Sequence, residues 1–193
     1  MAVACESASE PALTRAAGSL IDTLRARAAR LAPRARLAWV APDHLHFTLA
    51  FIGETAESHV PAIVSALEPR WPLPAFEIEL AGCGAFPERG RPRVLWAGVT
   101  GGRDRLVSLA GEVRSRLTAI GVTLEARPFA PHMTLARVKD GTGLRPGSLF
   151  NGLTDIVLGR MTVAAITLFQ SRLSPSGSSY HLMATSPMSG DAR

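Results

Sequence analysis

PDHLHFTLAFIG, residues 42–53, sets His44, His46 and Thr48 at alternate positions among Leu45, Phe47, Leu49 and Phe51. Side chains of a β-strand point to opposite faces in turn, so residues i and i+2 share a face. Read as a strand, this stretch offers Leu45, Phe47, Leu49 and Phe51 to a covering helix, and His44, His46, Thr48 and Ala50 to the other side. APHMTLARV at 130–138 repeats the kernel, with His132, Thr134 and Ala136 on one face and Met133 and Leu135 on the other. A lone His-x-Thr occurs often by chance; two copies in matching apolar surroundings do not. His46 and His132 stand 86 positions apart, one in each half of the chain. Two pseudo-symmetric lobes facing each other across a cleft would bring the two polar faces together.

The rest of the chain supplies elements for two such lobes. Ala2–Cys5 reads as a short strand, and Glu10–Leu31 as a helix with Leu13, Leu20, Leu24 and Leu31 on its apolar face. Leu37–Ala41 and Leu45–Gly53 are predicted strands, separated by the turn signal Pro42-Asp43. Val60, Ile63, Val64 and Leu67 recur at helical spacing, and Pro61 suits a first turn, so a second helix is expected from about Ser58 to Leu67. Phe76–Leu80 and Val94–Val99 read as strands around an irregular Gly- and Pro-rich connection. Arg103–Ile120 is a third helix, closed by Gly121. Pro131–Val138 is the second motif strand, followed by a polar loop over Lys139–Gly147. Met161–Gln170 and Tyr180–Thr185 are expected to pair through Ser174-Pro175-Ser176-Gly177. Residues 1–185 are read as one domain of alternating strands and helices, and residues 186–193 are expected to be a frayed tail.

Composition narrows the setting. The chain has 193 residues, 47% hydrophobic and 19% charged, which is ordinary for a globular protein with a proper core. No apolar run approaches the ~20 residues of a membrane span, and the N-terminus lacks the basic start and apolar stretch of a signal peptide. Cys5 and Cys83 are too few for a disulfide framework and fit no metal-binding spacing. Reduced thiols in the cytoplasm are the expected state. The formal charge is +5, and Lys139 is the only Lys among the basic residues. Guanidinium groups suit planar, bidentate contact with phosphate, which fits a nucleic-acid partner. Arg-favouring codon usage would give the same composition, so charge supports an argument made elsewhere without carrying one.

Two imidazoles and two hydroxyls make a coherent set. Imidazole, with an unperturbed pKa near ~6.5, gives or takes a proton at neutral pH. Placed on opposite sides of a phosphorus, His46 and His132 can serve as general acid and general base in an in-line displacement. Thr48 and Thr134 can donate hydrogen bonds to non-bridging phosphate oxygens. No third ligand of suitable spacing accompanies the histidines, so zinc is not expected.

Paired H-x-T motifs of this kind resemble those of the 2H phosphoesterases, in particular the bacterial and archaeal RNA 2′,3′-cyclic phosphodiesterases, also called 2′-5′ RNA ligases. The resemblance runs from about Leu37 to Ala184. It takes in WVAPDHLHFTLAFIGE at 39–54, GCGAFPERGRPRVLWAGV at 82–99, RPFAPHMTLARV at 127–138 and LFQSRLSPSGSSYHLMA at 168–184. It implies a bilobal α+β fold, two pseudo-symmetric lobes with antiparallel sheets around a central cleft and helices outside, and hydrolysis of an RNA 2′,3′-cyclic phosphate to a 2′-phosphomonoester; the reaction is expected to need no metal or cofactor, and the protein to be a cytoplasmic monomer. It also implies that His46 protonates the leaving 3′ oxygen and His132 activates water. Thr48 and Thr134 would bind phosphate oxygens, Arg137 would line the pocket, and Phe51, at the same offset in the first motif, would stack on a base. Strict alternation puts Arg137 and Phe51 on the core face, so both roles require a bulge or strong twist.

The chain departs from the family pattern in two places. Only Ala2-Val3-Ala4-Cys5 stands where a longer apolar strand is usual, so either the edge strand is short or the natural start lies upstream. Ala50 stands where a basic residue is common, and a weaker substrate contact is expected there. Other candidates have plainer readings. His44 is a polar flank residue, His59 a solvent-exposed residue of the second helix and His181 a structural one. Arg91 and Arg93 read either as solvated flanks or as contacts to RNA, and Trp39, Trp71 and Trp96 belong to core or rim. Two alternative functions stay open: a sister enzyme acting on a small cyclic nucleotide or a 2′-5′ linkage, and a non-catalytic protein that binds RNA ends.

Overall fold

The computed structural model describes residues 1–6, 10–69, 71–174 and 177–189. Nine strands and four helices are defined among them: β1 (Ala2–Glu6), α1 (Pro11–Leu31), β2 (Arg36–Trp39), β3 (His46–Phe51), α2 (Val60–Leu67), β4 (Phe76–Phe86), β5 (Val94–Gly101), α3 (Arg103–Ala119), β6 (His132–Asp140), α4 (Pro146–Leu149), β7 (Val157–Val163), β8 (Ala165–Ser174) and β9 (Gly177–Pro187). They form two antiparallel sheets, a four-stranded one ordered β3-β1-β8-β9 and a five-stranded one ordered β2-β6-β5-β4-β7. Each sheet carries one copy of the repeated motif, β3 in the first and β6 in the second. This is the expected bilobal α+β architecture.

The helices are placed by their apolar stripes. In α1, Leu13, Ala17, Leu20, Ile21, Leu24 and Ala28 are buried at intervals of three and four residues, and this face packs on β6 and β7 of the five-stranded sheet. Leu31, expected on the same face, is 41% exposed, because the stripe has rotated away by the last turn. In α3, Leu106, Leu109, Ala110, Val113 and Leu117 are buried, and the helix packs on β3 and reaches β4. The helix that follows β1 therefore covers the sheet of β6, and the helix between β5 and β6 covers the sheet of β3. This exchange ties the lobes together. Helix α2 starts at Val60, after a 3-10 turn over Glu57–His59 that carries the exposed His59.

Several boundaries differ from expectation. β4 extends well past Leu80, to Phe86, by a register shift near Ala81 and Gly82 that keeps Cys83 and Ala85 on the buried side. The supposed loop after the second motif is shorter, since Lys139 and Asp140 remain in β6 and α4 forms from Pro146. The expected strand Met161–Gln170 is two strands. Met161 to Val163 end β7 in one sheet, and from Ala165 the chain continues as β8 in the other; apolar residues run on through the junction and hide it. β8 and β9 pair as expected, although Pro175 and Ser176 of their connection lie outside the described residues. Of the segment expected to fray, residues 186–189 are described. Ser186 and Met188 are buried, Met188 N–H donates to the Ala164 carbonyl at 2.8 Å, and Ser189 Oγ donates to the Trp71 carbonyl. Residues 190–193 lie outside the described residues.

Candidate active site

Both histidines are held in the same way. Nδ1 of His46 lies 2.8 Å from the carbonyl oxygen of His44, and Nδ1 of His132 lies 2.7 Å from that of Ala130. A carbonyl only accepts, so each Nδ1 must carry its proton. That fixes the tautomer and makes Nε2 of each ring the nitrogen that exchanges a proton with a bound molecule. The clamp comes from residue i−2 in both copies. His44 itself sits in a 3-10 turn, Pro42–His44, ahead of β3, and its side chain is exposed. Its contribution to His46 is the carbonyl and a nearby titratable ring.

The two motif strands share one pattern of burial. His46 and Thr48 are half-buried while Phe47 and Leu49 are in the core; His132 and Thr134 are half-buried while Met133 and Leu135 are in the core. Alternation then breaks in both strands. Ala50 is 3% exposed and Ala136 0%, directly after a buried leucine. The strand registers show why: Ala4 pairs with Thr48 and Val3 with Ala50, and Trp96 pairs with Thr134 and Leu95 with Ala136. One extra residue, Leu49 or Leu135, is taken up as a bulge in each strand. The bulge turns the next side chain over, so Phe51 and Arg137 are exposed on the side of the histidines. The expected outward position of Ala50 and Ala136 is thereby corrected.

The site is electrostatically connected. Burial lowers the pKa of His46 most, and the positive charges of Arg137, His44 and His132 lower it further against the raising effect of the His44 carbonyl. His132 is lowered by burial first and then by Arg137, against the Ala130 carbonyl. Arg137 therefore lies close enough to act on both rings, and His132 close enough to act on His46. The structure brings together His46, Thr48, His132, Thr134 and Arg137, with Phe51 55% exposed at the end of β3.

Three aromatic residues lie beside the site: Phe86 and Phe169, which had no role in the sequence reading, and Trp96, read as core or rim. The Phe86 ring meets His132 edge-on at 5.1 Å between centroids and tilts against Trp96 at 5.2 Å. Phe169, on β8, lies 6.2 Å from the His46 ring. Trp96 is a cross-strand partner of Thr134 on one side and of Gly84 on the other. A Cβ at Gly84 would come within 2.5 Å of the Trp96 ring, so the indole rests against glycine backbone. Gly84 and Gly98 flanking Trp96 on the same face were the available signal. The remaining candidates are elsewhere: Trp71 is in the core under the Arg116 guanidinium, 3.9 Å from its ring, and Trp39 is half-buried beside Arg25. His181, Arg91 and Arg93 are exposed. Among the described residues, no three His, Cys, Asp or Glu side chains come together to hold a metal ion, and no helix is long and apolar enough to cross a membrane.

Comparison with known proteins gives the family and agrees with the two-lobed fold. The family model described as LigT like Phosphoesterase matches residues 13–96 and again 98–180, one match for each half of the chain. The RNA 2′,3′-cyclic phosphodiesterase of Aeropyrum pernix is 40% identical over 143 residues, spanning 73% of this chain and 80% of that protein. Its counterpart from Aquifex aeolicus is 34% identical over 146 residues, spanning 74% and 77%. Among solved structures, TT0787 of Thermus thermophilus superposes with a TM-score of 0.71 at 25% identity, covering 98% of both chains. Escherichia coli LigT complexed with 3′-AMP gives a TM-score of 0.69 at 24% identity over 98% of this chain and 97% of that one.

Proposed function

This chain belongs to the LigT-like phosphoesterase family, and from that membership we propose that it hydrolyses RNA 2′,3′-cyclic phosphate ends to 2′-phosphomonoesters by acid–base catalysis between His46 and His132. The observation that carries the reading is the twin arrangement of imidazole, hydroxyl and bulge, each imidazole clamped at Nδ1 so that proton exchange falls to Nε2. Relatives named RNA 2′,3′-cyclic phosphodiesterase supply the substrate class.

In this mechanism the cyclic phosphate sits between the rings, its non-bridging oxygens taking hydrogen bonds from the Thr48 and Thr134 hydroxyls and charge from Arg137. Nε2 of His132 accepts a proton from water as the water oxygen bonds to phosphorus. The bond from phosphorus to O3′ breaks on the opposite side, and Nε2–H of His46 gives its proton to O3′. One water is consumed, a 2′-phosphate and a free 3′-hydroxyl form, and the pair ends with its proton on the other ring. Burial, and after it the positive neighbours, make the His46 imidazolium a stronger acid than free imidazolium, which suits protonation of a leaving alkoxide. Phe51 offers an exposed ring to a base near the reacting end. The same reading makes the protein a monomer acting in the cytoplasm.

The test is incubation of a short RNA ending in a 2′,3′-cyclic phosphate, with EDTA present, followed by assignment of the product. A 2′-phosphate made without added metal is expected. A 3′-phosphate would mean that the same pair breaks the other bond. Retention of RNA without turnover would make the protein an RNA-end binder.

A further inference from the structure

The open face of the five-stranded sheet is electrically polarised along the strand that carries His132. In β6 the bulge brings Arg137 and Lys139 to that face, two and four residues beyond the buried Leu135, and both are exposed. Residues i and i+2 of a strand are about 6.6 Å apart, so beyond the bulge these cations carry on the line begun by His132 and Thr134. Arg36, paired in register with Asp140, and Arg91, in the loop before β5, stand at the far end, both close enough to act on the Asp140 carboxylate. That carboxylate is tied to Thr142 by hydrogen bonds of 2.7 and 3.0 Å and offsets one of the four cations.

The opposite direction from His132 is acidic. Gly98 pairs with His132, and Thr100, two residues further on β5, donates its hydroxyl to Glu79 at 3.2 Å. Among the described residues, Glu79 and Glu77 share one cation, Arg160, at 3.2 Å each. These side chains belong to the same open face, since Phe76, Ile78 and Leu80 between and beside them are in the core. One end of the face is thus rich in cations and the other carries an excess carboxylate.

A 2′,3′-cyclic phosphate closes the 3′ end of its RNA, so all further nucleotides lie on the 5′ side and must leave the site in one direction. We propose that this 5′ strand leaves along β6 over Arg137 and Lys139 toward Arg36 and Arg91, with its phosphates on these cations, and away from Glu77 and Glu79. This rests on the activity proposed above. It makes the protein selective for an RNA end over a nucleoside cyclic phosphate, through the phosphates 5′ to the reacting one.

The test compares uridine 2′,3′-cyclic phosphate with the trinucleotide UpUpU ending in the same cyclic group, across a salt series. The trinucleotide is expected to have the higher kcat/KM, by about tenfold at low salt, and to lose that advantage as salt rises. Lys139→Gln and Arg36→Gln should each reduce the preference, and the slope of log kcat/KM against log salt should fall by about 0.7 for each phosphate contact removed. Glu77→Gln should leave the preference where it was. Equal rates on the two substrates would overturn the proposal, as would a preference that Lys139→Gln does not move. So would a Glu77→Gln variant that shifts it as far as Lys139→Gln does. Turnover of neither substrate would instead overturn the activity on which it rests.

Discussion

A carbonyl two residues upstream decides what each histidine can do. Because Nδ1 is committed to His44 or Ala130, only Nε2 exchanges protons, and replacing either ring removes one half of the mechanism. His46→Ala and His132→Ala are each expected to lower kcat/KM by about 10²–10⁴-fold, with circular dichroism and melting temperature close to the parent. Thr48→Val and Thr134→Val keep shape and remove a donor, and about 10²–10³-fold losses in kcat are expected. Arg137 has a second, separable effect. Its charge lowers both imidazoles, so Arg137→Met should move both limbs of the pH profile of kcat/KM to higher pH as well as weakening turnover. A profile that keeps its position would disprove that coupling.

At the scale of elements, the bulges and the glycine-backed tryptophan set the geometry. Gly84→Ala would drive a Cβ to 2.5 Å from the Trp96 ring, so the indole or the strand has to shift. A loss of about 1–3 kcal/mol is expected in urea denaturation, together with reduced turnover because Trp96 lies beside Thr134. Unchanged stability would show that the indole has another place to go. The motif strands were legible because a period of two survives over four residues, from His46 to Leu49 and from His132 to Leu135. The bulges were legible only as a requirement, since the exposed roles of Phe51 and Arg137 contradicted strict alternation. Their location was hidden, because Leu-Ala reads equally well as two faces or as one. β7 was missed for a related reason: Val157 to Val163 join β8 without a turn signal, and the change of sheet at Ala164 leaves no compositional mark.

For the whole molecule, burying two imidazoles between the lobes costs stability at low pH. Both native pKa values lie below the ordinary value of about 6.5. Below that pH the unfolded chain therefore binds more protons than the native one, and stability is lost as pH falls from about 6.5 through the lowered native values. The urea midpoint should be lower at pH 5 than at pH 7.5, a range over which Asp140, held below its usual value by Thr142, stays ionised. The double variant His46→Gln/His132→Gln should show a smaller drop, and an equal drop would place its origin elsewhere. The two-lobed plan itself was readable from one repeated motif in each half. Which helix covers which sheet was not, because amphipathic stripes state that a face is buried without naming its partner.

The central claim is that His46 and His132 divide acid and base between them. It is tested most directly by the pH dependence of kcat/KM on a cyclic-phosphate RNA in the parent protein and in each single alanine variant. The parent should give a bell with both limbs displaced below the ordinary imidazole value. His46→Ala should lose the alkaline limb, where the acid gives up its proton, and His132→Ala the acidic limb, where the base becomes protonated. The same bell in all three proteins would contradict the account.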